Sequence, residues 1–319
     1  MANATAVTEA NTTLLPPWPD ELQSQVYILL TTIFFSLIIL VGLFTNSLVL
    51  VTLTRWPVEM RIPCNILIGN ICAADLGVCV FAAPLRIIEV YFGWIFGQAM
   101  CFIFTPLQDV FVVVSVAAQT IIALERHRAI VTPFKPKMTL KRVKKFVLVI
   151  WIASYLTAGL PMMIFLKNEL YEDRYYCFPV FTKDQYRIAY QIYIVVLFIV
   201  LPLVIQCIAY FNIIRVLRAK EVFHRRGSSV EFFKKRIRQK RRLVRMSLAL
   251  MLAFQVCYLP RGVVMLIQEF KPETAVKLEF LYIEMITLAM YYLKHVINPF
   301  ILWAMSNDFR AGCLKLCQS

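Results

Sequence analysis

Seven stretches of the chain, 27–54, 62–90, 98–124, 146–166, 188–214, 246–268 and 280–304, are apolar almost throughout, and the polar residues gather between them. A bilayer core about 30 Å thick is crossed by about 20 helical residues, so each stretch is long enough to span it as a helix. The segments between them are short, which predicts one all-α membrane domain, a seven-helix bundle. Three regions follow: a tail over 1–26, the transmembrane domain over 27–304, and at 305–319 a short amphipathic helix with a brief tail. The first 26 residues lack a basic start followed by a short apolar run and a small-residue cleavage site. We therefore expect no cleaved signal peptide, with the first span acting as the insertion signal.

Composition supports the membrane reading. The chain is 60% hydrophobic, against roughly half for a soluble domain. Only 17% of residues are charged, yet the net charge is +15, so the charge must be confined to certain segments. A nucleic-acid-binding domain would share the basic balance but not the long uncharged runs, and no nucleic-acid partner is expected.

The distribution of Lys and Arg sets the orientation. Segments 1–26, 91–98, 167–187 and 269–279 together hold six; the alternate segments at 55–61, 126–145, 215–245 and the C-terminal stretch hold 25. The N-terminus is thus predicted outside and the C-terminus in the cytosol, which only an odd number of spans allows. Two sequons, at Asn3 and Asn11, fall in the outer tail, where glycosylation occurs. Of nine cysteines only Cys101 and Cys177 map to the outer face, where disulfides persist, and their bond would pin the second outer loop to the top of helix 3. Cys313 and Cys317 lie in or just after the amphipathic stretch Asn307–Leu316, a plausible place for palmitoylation. The basic inner surface suits both anionic lipid and an acidic protein partner.

Within the spans or at their ends stand the ionisable residues Asp75, Arg86, Glu89, Asp109, Glu125, Arg126, Arg261, Glu284 and Lys294. Such groups are costly in a membrane and usually functional. Arg86 and Glu89, three apart on one helical face, are placed to pair with each other. Pro202, Pro260 and Pro299 each remove a backbone hydrogen bond and are expected to kink or hinge their helices.

A set of motifs narrows the reading. In order these are Gly42-Leu43-Phe44-Thr45-Asn46; Ala73-Ala74-Asp75-Leu76; Trp94 and Phe96-Gly97 ahead of Cys101; Glu125-Arg126-His127; Trp151 and Pro161; Pro202 with Tyr210; Phe254 with Cys257-Tyr258-Leu259-Pro260; and Asn298-Pro299-Phe300-Ile301-Leu302 before Phe309-Arg310. Over residues 27–317 the chain resembles the rhodopsin-like family of G-protein-coupled receptors. That resemblance implies a receptor that activates a heterotrimeric G protein as helix 6 swings outward, freeing Arg126 from Glu125. It implies no catalytic chemistry and no cofactor. The sequence itself offers no metal-ligand spacing and no HExxH or GxSxG motif.

Departures from the family pattern matter as much. The acid often found near the start of helix 6 is replaced by Lys240, so like-charge repulsion replaces a lock on Arg126, and raised basal activity is expected. The tyrosine that closes the helix 7 motif is Leu302, which can neither donate nor accept a hydrogen bond. The helix 6 tryptophan is Tyr258. The resemblance places Asp75, Ser115, Asn46 and Asn298 in the family's sodium pocket, but Lys294 stands one turn before Asn298, and we expect its ammonium to pair with Asp75 in place of sodium.

The ligand is approached through the same positions. Opsins attach retinal six residues before the Asn of this Asn-Pro pair, which here is Tyr292; Lys294 is turned from that place by about 200°. Amine receptors carry an Asp where this chain has Gln108, with Asp109 displaced by about 100°. Gln108 is found there in neuropeptide receptors of the orexin-like and RFamide-like groups, whose second inner loop Arg128–Pro136 also resembles. A peptide ligand is therefore expected, recognised by Gln108, Asp109, Val112, Arg261, Met265, Glu284, Tyr291 and Tyr292, with Arg86 and Glu89 above them. Val112 is equally well read as core packing. Arg261 is expected to hold a carboxylate or C-terminal amide of the peptide. The mixed-charge, aromatic loop at 167–187 suits a peptide and a hairpin across the mouth, and is equally well read as a merely solvated loop. The alternative is a constitutive or non-peptide (lipid, amine or opsin-like) receptor.

Overall fold

The computed structural model describes residues 25–55, 62–136, 138–171, 173–226, 231–275 and 277–317, without the side chains of 26, 220–240, 272, 278 and 317. Asn3 and Asn11, and the side chains of Lys240 and Cys317, therefore lie outside the described residues. Seven helices among them are long and apolar enough to cross a membrane. They are α1 (Gln25–Arg55), α2 (Pro63–Phe92), α3 (Gly97–Val131), α4 (Leu140–Phe165), α5 (Asp184–Ala219 in its crossing part), α6 (Arg241–Phe270 in its crossing part) and α7 (Leu278–Met305). A short helix, α8 (Asn307–Cys317), follows. The basic segment between α5 and α6 is largely helical too, with α5 running on to Arg226 and α6 beginning at Glu231.

Local sequence sets the ends. Pro63 opens α2 at a position where its missing N–H is no loss. Thr139 caps α4 by accepting from the Arg142 N–H at 3.2 Å. Ser306 separates α7 from α8, and its Oγ accepts from the Phe309 N–H at 3.2 Å. The prolines act less uniformly than their sequence positions predict. Widened π turns occupy Val78–Ala82, Tyr155–Gly159 and Val196–Val200, each just ahead of a proline: Pro84, Pro161 and Pro202. The wider turn relieves the clash of the pyrrolidine ring with the preceding turn. Pro260 and Pro299 instead sit inside uninterrupted helix.

Large apolar side chains face outward along the bundle, among them Leu40, Phe44, Leu148, Ile208, Val256 and Ile286, as lipid-facing surfaces require. Inside, α3 packs against α2, α4 and α5. Polar pins cross this core: Trp151 Nε1 donates to Asn70 Oδ1 at 2.8 Å, joining α4 to α2, and Gln206 Nε2 donates to Thr120 Oγ1 at 2.8 Å, joining α5 to α3.

One end of the bundle carries a hairpin, β1 (Leu166–Tyr171) paired antiparallel with β2 (Arg174–Pro179), as the loop composition suggested. Cys177 on β2 is bonded to Cys101 in the first turns of α3. The turn between α2 and α3 meets the hairpin, where the Trp94 N–H donates to the Tyr175 carbonyl at 2.6 Å. Gly93 makes this approach possible. Its φ is +69° and a Cβ there would lie 2.6 Å from the Tyr175 oxygen, so both backbone and space select glycine.

Candidate functional site

The functional residues form three tiers along the bundle axis. The deepest is the Asp75 cluster. Asp75 Oδ1 accepts from Lys294 Nζ at 2.8 Å and from Ser115 Oγ at 3.3 Å, and His295 Nδ1 lies 2.7 Å from the same oxygen. A carboxylate only accepts, so Nδ1 carries the imidazole proton. Asp75 Oδ2 accepts from Asn298 Nδ2 at 2.8 Å. Asn46 Nδ2 donates to the His295 carbonyl at 2.9 Å, which ties α1 to the cluster. All six side chains are buried. The Lys294 ammonium also stands 5.4 Å above the Phe254 ring. A buried ion pair survives only when its remaining valences are satisfied, and here the carboxylate is surrounded by donors.

His295 was not singled out by the sequence reading. The signal was present: His295 and Asn298 are spaced three apart, which puts them on one face of a helix.

The second tier lies toward the hairpin. Arg86 Nη1 pairs with Glu89 Oε2 at 2.9 Å, as their spacing predicts. Arg86 Nε donates to the Tyr292 hydroxyl at 3.1 Å, and Tyr292 donates to Gln108 Oε1 at 2.9 Å. This chain links α2, α7 and α3. Tyr292 is fully buried, with Phe35 of α1 against its ring at a centroid separation of 4.7 Å. It is a strut between helices and presents no surface to a ligand in this conformation. Val112 is buried in the apolar core, in line with its packing alternative. Phe254, Tyr258 and Tyr291 form an aromatic stack with successive centroids 5.0 and 5.4 Å apart. Met265 is partly buried near the mouth.

Arg261 departs from the expectation drawn for it. Its Nη1 is 3.0 Å from Glu284 Oε1, so the guanidinium is already paired across α6 and α7. Two charges predicted separately for the ligand neutralise each other. Four ion pairs, Asp75–Lys294, Arg86–Glu89, Glu125–Arg126 and Arg261–Glu284, thus account for eight of the nine acidic and basic residues singled out from the sequence. Asp109 is the ninth. It is partly buried and has no hydrogen bond or ion pair among the described residues.

The third tier is at the opposite end. Arg126 Nε lies 2.7 Å from Glu125 Oε2, and Arg126 is buried; His127 is partly buried beside them. Tyr210 is buried among α3, α5 and α6 residues. Leu302 is buried and lines a cavity of about 170 Å³, walled mainly by Val49, Leu53, Ile68, Leu243 and Met246. Sequence reasoning missed Arg242, whose Nε donates to the Met305 carbonyl at 2.8 Å, fastening α6 to the last turn of α7. On α8, Cys313 is turned inward, its thiol 3.5 Å from Thr52 Oγ1. That orientation conflicts with its expected role as a palmitoylation site, because the inward face of this amphipathic helix packs on α1 and withholds the thiol from an acyl donor.

Comparison with known proteins agrees with this arrangement. The seven-transmembrane receptor (rhodopsin family) description matches residues 45–302. Neuropeptide Y receptor type 4 of Mus musculus is 27% identical over 294 residues, covering 86% of this chain and 76% of that protein. The substance-P receptor of Aquarana catesbeiana is 27% identical over 312 residues, covering 96% and 72%. The neuromedin-K receptor of Mus musculus is 26% identical over 304 residues, covering 93% and 63%. With seven membrane-crossing helices, the polar cluster at their centre and this match over most of its length, the chain belongs to the rhodopsin family of seven-transmembrane receptors.

Proposed function

We propose that the protein is a plasma-membrane receptor for a peptide ligand and activates a heterotrimeric G protein. In this reading the N-terminus and the disulfide-anchored hairpin are extracellular. The helix ends around Arg126, with the basic segment between α5 and α6, face the cytosol and its anionic lipid. The positive-inside distribution of Lys and Arg supports that orientation.

The carrying observation is the placement of the Glu125–Arg126 pair at the end of α3 opposite the Cys101–Cys177 bond. One continuous helix thereby joins the ligand end to the coupling end, and the Asp75 cluster ties it to α2 and α7 between them. The relatives named for neuropeptide Y, substance P and neuromedin K favour a peptide. So does the hairpin, whose two strands border the mouth with Tyr171, Tyr175 and Tyr176. Agonist binding must change the packing of α6, because a ligand moves an equilibrium only by its differential affinity for the two states.

The test is G-protein activation in cells across a neuropeptide panel, with Arg126→Ala as control. A response to one peptide that disappears in Arg126→Ala is the expected result. Silence to every peptide, with a high basal signal that falls in Arg126→Ala, would replace the peptide reading with a constitutive or non-peptide receptor.

A further inference from the structure

We propose that Gln119 of α3 and Gln255 of α6 are positioning residues for the movement of α6, two buried carboxamides that hydrogen-bond to each other when α6 shifts against α3. For the consequence of that movement the inference rests on the receptor reading above; the contact itself depends neither on a peptide nor on a G protein.

The two side chains share a layer of the bundle. Ala123 of α3, Tyr210 of α5 and Met251 of α6 are buried in one cluster. Gln119, Gln206 and Gln255 stand four residues from Ala123, Tyr210 and Met251 respectively, which is one turn along the same face of each helix. α3 and α5 run away from the hairpin end and α6 runs toward it, so all three displacements point toward the hairpin. Three glutamines from three helices thereby stand at one level, none more than 5% exposed.

Hydrogen bonding in this layer is incomplete. Gln206 Nε2 donates to Thr120 Oγ1 at 2.8 Å and fixes α5 to α3. Among the described residues Gln119 has no partner for either Nε2 or Oε1, and Gln255 has none for Oε1. A carboxamide brings both donors and an acceptor, and burying them unpaired carries a penalty that an apolar side chain of the same length does not. A bond from Gln119 Nε2 to Gln255 Oε1 removes that penalty on both sides. Because α5 is already tied to α3 here, α6 is the helix left to bring its amide across. Gln255 lies five residues before Pro260, on the coupling side of that proline, in the part of α6 that a bend at Pro260 displaces. The shifted conformation is therefore favoured by whatever the two open amides cost this one.

Methionine matches glutamine in length and lacks the amide, which makes Gln119→Met, Gln255→Met and the double variant the test. Removing either amide leaves the other unpaired in both conformations, and removing both leaves none in either, so all three variants lose the same advantage. The readout is hydrogen exchange of the backbone amides over residues 241–250, at the inner end of α6, in the purified ligand-free full chain in lipid nanodiscs. We expect exchange slowed about fivefold in each single variant and no further in the double, with the thermal midpoint retained or raised. Unchanged or faster exchange in Gln119→Met overturns the proposal, and a lowered midpoint beside it assigns the amide to the fold alone. Slowing that multiplies in the double variant also overturns it, because the two residues would then act independently. Basal G-protein signal per surface receptor, measured in cells, should fall with the exchange rate. Exchange that slows as expected in a chain that activates no G protein would sink the receptor reading and leave the contact standing.

Discussion

Lys294 is the residue at which sequence and structure agree most closely. An ammonium in a helix 7 sequence, one turn before Asn298, is costly at that depth unless it is paired, turned aside or deprotonated, and Asp75 was the acid in reach. The structure places them 2.8 Å apart. What the sequence could not supply was direction within a turn. His295 joins the same carboxylate, and Arg261 is turned to Glu284 rather than left for a ligand. Both depend on helix rotation and neighbouring side chains, not on the residue's own type. The pairing predicts that the receptor is indifferent to sodium. In membranes, agonist binding measured in sodium and in N-methylglucamine buffers should coincide for the wild type. Lys294→Asn removes one partner of a buried pair, a loss of about 3–5 kcal/mol that a sodium ion can partly offset, so the variant should become sodium-dependent. A sodium-sensitive wild type would defeat the idea that the ammonium fills the ion's place.

Among the elements, the spans were legible because a helix that crosses lipid must be long, apolar and free of exposed backbone polar groups. The behaviour of the prolines was not. Pro202 carries a π turn while Pro260 and Pro299 do not, and the difference lies in packing that a single sequence does not display. α6 is also held differently from the family pattern. With Lys240 where an acid is usual, its inner end is fastened by Arg242 to the Met305 carbonyl. A cation at a helix C-terminus is favourable both as a hydrogen-bond donor and against the helix dipole. If this contact restrains outward movement of α6, Arg242→Ala should raise ligand-free signalling. Losing on the order of 1 kcal/mol from the closed state changes the ratio of states by about fivefold. Lys240→Glu should act in the other direction by giving Arg126 an acid to meet. Basal G-protein activation, normalised to surface expression, reads both. An Arg242→Ala signal equal to wild type would mean that the contact is incidental to activation.

At the scale of the whole molecule, α6 is held to its neighbours at both ends. Near the hairpin, Arg187 of α5 meets Glu269 at 3.2 Å and Arg261 meets Glu284 of α7 at 3.0 Å. At the far end Arg242 fastens α6 to the last turn of α7. The Arg261–Glu284 bridge is a test of what the ligand touches. If the bridge only joins α6 to α7, exchanging its charges should preserve it. Arg261→Glu and Glu284→Arg would each bring like charges together and lower surface expression and agonist potency. The double variant should recover both, with a coupling energy within the range of about 0.5–3 kcal/mol seen for contacting residues. If Arg261 instead holds a ligand carboxylate on activation, the double variant should recover expression but not potency, because the cation then projects from α7. Surface immunostaining alongside a concentration–response curve separates the two. Recovery of potency within a few-fold assigns the bridge to architecture.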